Sequence, residues 1–164
     1  MTTATGTDDA LHQLWLSRAI ELANDNVEAG GGPFGAVVVR GDEVIATGTN
    51  LVVPTLDPTA HAEVVAIRNA CAATGSFALT GCVLVSSCEP CPLCLAASLW
   101  ARVDGVLYAA DRDDAAVAGF DDRAFHDLFA SPRETWVLPV RQVEHPERVA
   151  PFSAWAGRSD RVDY

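Results

Sequence analysis

The stretch Gly81-Cys82-Val83-Leu84-Val85-Ser86-Ser87-Cys88-Glu89-Pro90-Cys91-Pro92-Leu93-Cys94 decides how the rest of the chain is read. Its first half, GCVLVSS, is a short continuous apolar run bounded by glycine and proline, the pattern of a strand buried on both faces. Its second half turns at Cys88-Glu89-Pro90 and opens a helix from about Pro92 to Arg102, with prolines where a missing N–H costs nothing. A buried strand running into a helix start is where α/β sheets collect ligands.

Outward from that unit the same alternation continues. Leu11, Leu14, Trp15, Ile20, Leu22, Ala23 and Val27 keep roughly helical spacing from Asp9 to Ala29, and Gly30-Gly31-Gly32-Pro33 stops it. Phe34–Arg40 and Glu43–Thr49 flank Gly41-Asp42 and predict an antiparallel hairpin. Asn50 to Thr59 is a loop offering Thr59 as N-cap to a helix from about Ala60 to Thr74. After Asp104-Gly105 come a buried strand, Val106–Ala110, short helices over 115–119 and 122–129, a last strand over Thr135–Val140 interrupted at Pro139, and a last helix over Pro146–Gly157. The expected fold class is α/β, a three-layer α/β/α sandwich on a five-stranded mixed sheet. Residues 8–164 form one domain, and 1–7, with nothing to bury, a disordered arm.

Composition narrows the partners. A formal charge of -11 without any Lys/Arg cluster weighs against nucleic acid, whose binding draws on phosphate neutralisation. No apolar run approaches the ~18 residues of a membrane span, and no signal-peptide pattern is present, so a cytoplasmic protein is expected. Five cysteines, an odd number crowded between Cys71 and Cys94, suit a metal better than disulfides.

Cys91 and Cys94, three apart on a helix's first turn, can both bind one ion, and His61 supplies a third ligand. Three protein ligands leave a zinc ion one position for water, the count of a catalytic site. His61 and Glu63 are about 200° apart around a helix, so both reach only a point off its N-terminal end. Glu63 is then the acid/base, passing the water's proton to substrate. Cys88 is read as a core thiol at the strand end, though it is also the residue that could close the site. Cys71 and Cys82 are read as small buried residues, Glu89 as bonding local backbone, and His12, His126 and His145 as surface residues.

H-x-E with P-C-x-x-C is the signature of zinc deaminases of the cytidine deaminase fold. More narrowly, GGPFGAVVV, DPTAHAEVVAIRNAC, SSCEPCPLC, YAADRDDAAVAGFDD and PFSAW with the terminal tyrosine resemble the bacterial guanine deaminases. The resemblance implies one Zn²⁺ per subunit on His61, Cys91 and Cys94, with proton transfer by Glu63 assisted by Asp122. It implies a purine sandwiched by Phe34 and Trp100 and hydrogen-bonded by Asn50, with guanine converted to xanthine and ammonia in purine catabolism. It further implies a homodimer whose C-terminal segments are exchanged, so that Tyr164 reaches the partner's pocket. Deamination of another base or heterocycle (cytosine, ammeline), deamination of tRNA adenosine, and a non-catalytic zinc-stabilised module stay open as alternatives.

Overall fold

The structure, a computed structural model, describes residues 6 to 163, with side chains from residue 9 onward. The elements are α1 (Gly6–Glu28), β1 (Gly35–Arg40), β2 (Glu43–Thr49), α2 (Val52–Thr55), α3 (Ala62–Thr74), β3 (Val83–Cys88), α4 (Pro92–Ala101), β4 (Gly105–Ala110), α5 (Arg112–Val117), α6 (Arg123–Ala130) and α7 (Ala150–Ala156), with a 3-10 turn at Arg133–Thr135. The first helix starts at Gly6, ahead of the expected Asp9, so Gly6 and Thr7 of the expected arm are helical. The remainder of that arm and Tyr164 lie outside the described residues.

Among the described residues the sheet has four strands in the order β2-β1-β3-β4. β1 runs antiparallel to both neighbours, and β3 and β4 are parallel, joined through α4. Alternation along β1 sends Val37 and Val39 to one face and Ala36 and Val38 to the other. The first pair meets Val85 under Trp15, Leu16 and Leu22 of α1. The second meets Leu84 and the alanine-rich side of α3 (Ala62, Ala66, Ala70), with Ala101 of α4 in the same cluster. Three layers result. Fully buried valines such as Val37 and Val38 each contribute about 1.5–3 kcal/mol of transfer free energy.

The seat of α3 on β2 is unusually close. A Cβ at Gly48 would collide with the backbone of Ala62 and Ala66, so glycine there lets the first turn of α3 lie against the sheet and fixes where His61 and Glu63 stand. The helix starts later than expected. His61 is its N-cap, and Thr59 instead gives both its N–H and its hydroxyl to Asp57 Oδ1.

The expected fifth strand does not form among the described residues. The segment 135–140 has no ladder partner, Pro139 withholds a donor, and Val137 is 90% exposed. β4 is accordingly an edge strand rather than a buried one, with Tyr108 exposed. The last helix is shorter than expected and wholly exposed, Phe152 at 73%. No helix among the described residues is long and apolar enough to cross a membrane.

Candidate active site

Two helix starts meet at the carboxyl end of the sheet. His61 is the N-cap of α3 and Cys91 the N-cap of α4, both in extended backbone and neither using its side chain as a cap. Residues that ordinarily satisfy the first N–H groups of a helix are thus free to face a common point. The positive ends of both helices favour negative charge there.

His61 Nδ1 lies 3.5 Å from Cys91 Sγ and 3.5 Å from Cys94 Sγ, and the two sulfurs are 3.6 Å apart. Tetrahedral zinc with bonds of ~2.3 Å to sulfur and ~2.0–2.1 Å to nitrogen requires separations of about 3.6–3.8 Å along these edges. The triangle fits, and among the described residues it is the one His/Cys/Asp/Glu cluster able to hold a metal ion. The three groups also sort their protons against one another. Hydrogen bonding to Cys94, then to His61, pushes the Cys91 thiol well down. The same contact, with burial and the Glu63 carboxylate behind it, pushes Cys94 up. The bond to Cys91 raises His61 against the effect of burial, helped by the charges of Glu63 and Asp122.

Glu63 is 4% exposed. Its Oε1 accepts a 2.8 Å hydrogen bond from the Ser86 hydroxyl of β3, and its Oε2 stands 3.3 Å from Cys94 Sγ. Burial pushes its carboxyl above the ordinary range, opposed by the hydrogen bonds it accepts. A buried carboxyl with one oxygen pinned and the other beside the metal triangle is built to hold and release a proton.

A cavity of about 530 Å³ opens from this triangle, with Phe34, Asn50 and Asp122 in its walls beside His61, Glu63 and Cys91. Phe34 meets Phe120 edge to face at 5.0 Å. Asn50 Oδ1 accepts the Val52 N–H at 3.3 Å, and the Asn50 carbonyl accepts from the amide of Asn26, which also donates to Gly32. Asp122 caps nothing with its side chain, whereas Asp121 accepts the backbone N–H of Arg123 and binds its guanidinium. Of the adjacent aspartates, Asp121 does the structural task.

Trp100 is not brought to this cavity. It sits nine residues beyond Cys91 on one helix, about 13 Å along and half a turn round, and is 65% exposed. Two sequence readings change. Glu89 reaches beyond local backbone, accepting the N–H of Arg112 at 3.2 Å and binding its guanidinium in a bidentate pair. That pair ties α5 to the metal loop. His126 is not on the surface: Nε2 is hidden from solvent, without a hydrogen-bond partner, 3.6 Å from Asp122 Oδ2. Sequence reasoning passes over Ser86 and Asn26; a Ser-Ser pair closing an apolar central strand is the only signal for the first.

Residues 9–110 match the family model described as the cytidine and deoxycytidylate deaminase zinc-binding region. The guanine deaminase of Bacillus subtilis (strain 168) is 48% identical over 154 residues, 93% of this chain and 99% of its own. The X-ray structure of guanine deaminase from Bacillus subtilis superposes with a TM-score of 0.89 over 93% of this chain and 98% of its own. NE0047, solved in complex with 2,6-diaminopurine, is 37% identical with a TM-score of 0.64, covering 68% of this chain and 62% of its own. The chain therefore belongs to the zinc-binding cytidine and deoxycytidylate deaminase family, on the branch of the guanine deaminases.

Proposed function

We propose that this chain is a zinc-dependent aminohydrolase that converts guanine to xanthine and ammonia. The observation that carries the reading is the buried Glu63 carboxylate beside an open three-ligand triangle whose edges fit zinc. Near-full-length identity to a guanine deaminase gives the substrate class. When bound, zinc on His61, Cys91 and Cys94 supplies the Lewis acidity that generates a hydrolytic nucleophile near neutral pH. Glu63 takes a first proton on Oε2, the oxygen that Ser86 leaves free, and passes it to a ring nitrogen, then takes the second and gives it to the amino group, which leaves as ammonia. Phe34 stacks on the ring, Asn50 hydrogen-bonds to it, and the uncapped carboxylate of Asp122 faces the amino side.

The cavity of about 530 Å³ is larger than a free base needs, which supports closure by a further segment. An exchanged C-terminal segment in a homodimer, carrying Tyr164 to the partner's pocket, is the reading that suits it. The exposed apolar residues Phe152 and Trp155 and the open edge of β4 support it. A small purine base as partner, operation in purine catabolism and a cytoplasmic location complete the proposal.

The deciding experiment incubates the zinc-loaded protein with guanine, adenine, cytosine, cytidine, ammeline and tRNA and measures ammonia. Release from guanine alone, or at least about a hundred-fold faster than from the others as expected where missing hydrogen bonds leave pocket groups unpaired, supports it. Turnover of cytidine or tRNA without turnover of guanine overturns it.

A further inference from the structure

His126 stands one helical turn beyond Asp122 on α6, and its placement is odd for a residue of that type. The side chain is mostly buried, Nε2 has no hydrogen-bond partner, and Asp122 Oδ2 lies 3.6 Å away. A hidden imidazole nitrogen without a partner is disfavoured. The Asp122 carbonyl accepts the N–H groups of Phe125 and His126 at 2.8 and 3.4 Å. This closed first turn holds the imidazole and the carboxylate on one side of α6.

The surroundings leave the pair few alternatives. Asp121 is taken up by Arg123, which also reaches Asp113 of α5. Glu89, in the loop after β3, is engaged by Arg112 of α5 while lying close enough to His126 to feel its charge. Among the described residues the neighbouring carboxylates Asp121 and Glu89 are thus engaged by arginines, and the Asp122 carboxylate, which caps no helix N–H, stands 3.6 Å from the imidazole.

We infer that His126 is a positioning residue for Asp122: its Nε2–H donates to Oδ2 and holds the carboxylate in the orientation in which it faces substrate. The inference rests on the proposed role of Asp122 in the pocket. It assigns a task to a residue that touches neither metal nor substrate. Because the contact orients a group rather than binding the base, it acts on turnover more than on KM.

Three variants test it in the zinc-loaded protein with guanine: His126→Phe, which keeps a ring and removes the donor; His126→Gln, whose amide nitrogen stands where Nε2 does; and Asp122→Asn. The expected result is a kcat about ten-fold lower in His126→Phe, the loss of one hydrogen bond, with KM within about two-fold. His126→Gln should recover most of that loss, and His126→Phe should add little in the Asp122→Asn background. Equal kcat in His126→Phe and His126→Gln, or additive losses in the double variant, overturns the inference. A normal kcat in Asp122→Asn removes the role of Asp122 itself and this inference with it. A low kcat in Asp122→Asn beside a normal one in His126→Phe overturns only the inference about His126.

Discussion

The Ser86 hydroxyl donates a 2.8 Å hydrogen bond to Glu63 Oε1, joining the central strand to the first turn of α3 across the buried face of the sheet. It leaves Oε2, 3.3 Å from Cys94 Sγ, as the oxygen that would carry the proton in the proposed reaction. Removing the hydroxyl frees the carboxylate to rotate without altering the pocket wall. Ser86→Ala is therefore expected to lower kcat about ten-fold, the value of one hydrogen bond to a charged group, with KM nearly unchanged. Steady-state kinetics on guanine check it.

Glu63→Gln keeps the shape of the side chain and the Ser86 contact but cannot take a proton. General acid–base catalysis contributes typically 10²–10⁴-fold, so kcat should fall by about 10³-fold or more. The Cys91, Cys94 and His61 triangle does not include Glu63, and zinc content should stay near one ion per chain. Metal analysis beside the activity assay separates this result from loss of the site. An unchanged rate would refute the role.

How much the sequence reveals divides along the reach of each interaction. The hairpin over Gly35–Arg40 and Glu43–Thr49 is legible because β-branched runs and the Gly41-Asp42 turn between them are local signals. The ligands His61, Cys91 and Cys94 are legible because few residue types bind zinc and fewer at that spacing. The fifth strand fails because Thr135–Val140 carries strand-like residues but a strand exists only with a ladder partner. Ser86 and His126 are ordinary residues whose meaning lies in register: Ser86 shares the face of Leu84 toward α3, and His126 falls one turn after Asp122. Trp100 does not line the cavity of its own chain, because helix arithmetic sets it half a turn round from Cys91.

Cys88 tests whether the metal site is open. Its thiol lies 3.7 Å from the Asp111 carbonyl, outside the triangle, and burial, then the Glu63 charge, pushes it up to about 11. Below that value it is almost wholly thiol, neither a good ligand nor a nucleophile. Cys88→Ala should keep one zinc per chain, whereas Cys91→Ala and Cys94→Ala should lose it. Alkylation of Cys88 in the zinc-loaded protein, followed by peptide mass, should stay slow through neutral pH and accelerate as pH rises toward about 11. Loss of zinc in Cys88→Ala would make the site closed and structural.

Gly48 carries a stability prediction that bears on activity. A methyl group at this position meets backbone, not a movable side chain, so α3 must shift away from β2. Overpacking of this kind costs typically about 1–3 kcal/mol. Gly48→Ala should lower the free energy of unfolding in denaturant by that amount and lower kcat as well, because the moved helix carries His61 and Glu63. Full activity in a destabilised Gly48→Ala would show that the site tolerates movement of α3.

Phe34 stands at the entry to β1 with its ring edge-to-face against Phe120, centroids 5.0 Å apart at an interplanar angle of 88°. Phe120 fixes the ring, and the ring lines the cavity beside Asn50. Stacking of a base on an aromatic side chain is worth about 1–3 kcal/mol, so Phe34→Ala should raise KM for guanine roughly ten- to a hundred-fold. Phe120→Ala, which removes the support and leaves the stacking ring, should raise it by less, because an edge-to-face pair contributes about 0.5–1.5 kcal/mol beyond its area. The order of the two effects decides the assignment: a larger effect from Phe120 than from Phe34 would make Phe120 the ring on which the base stacks.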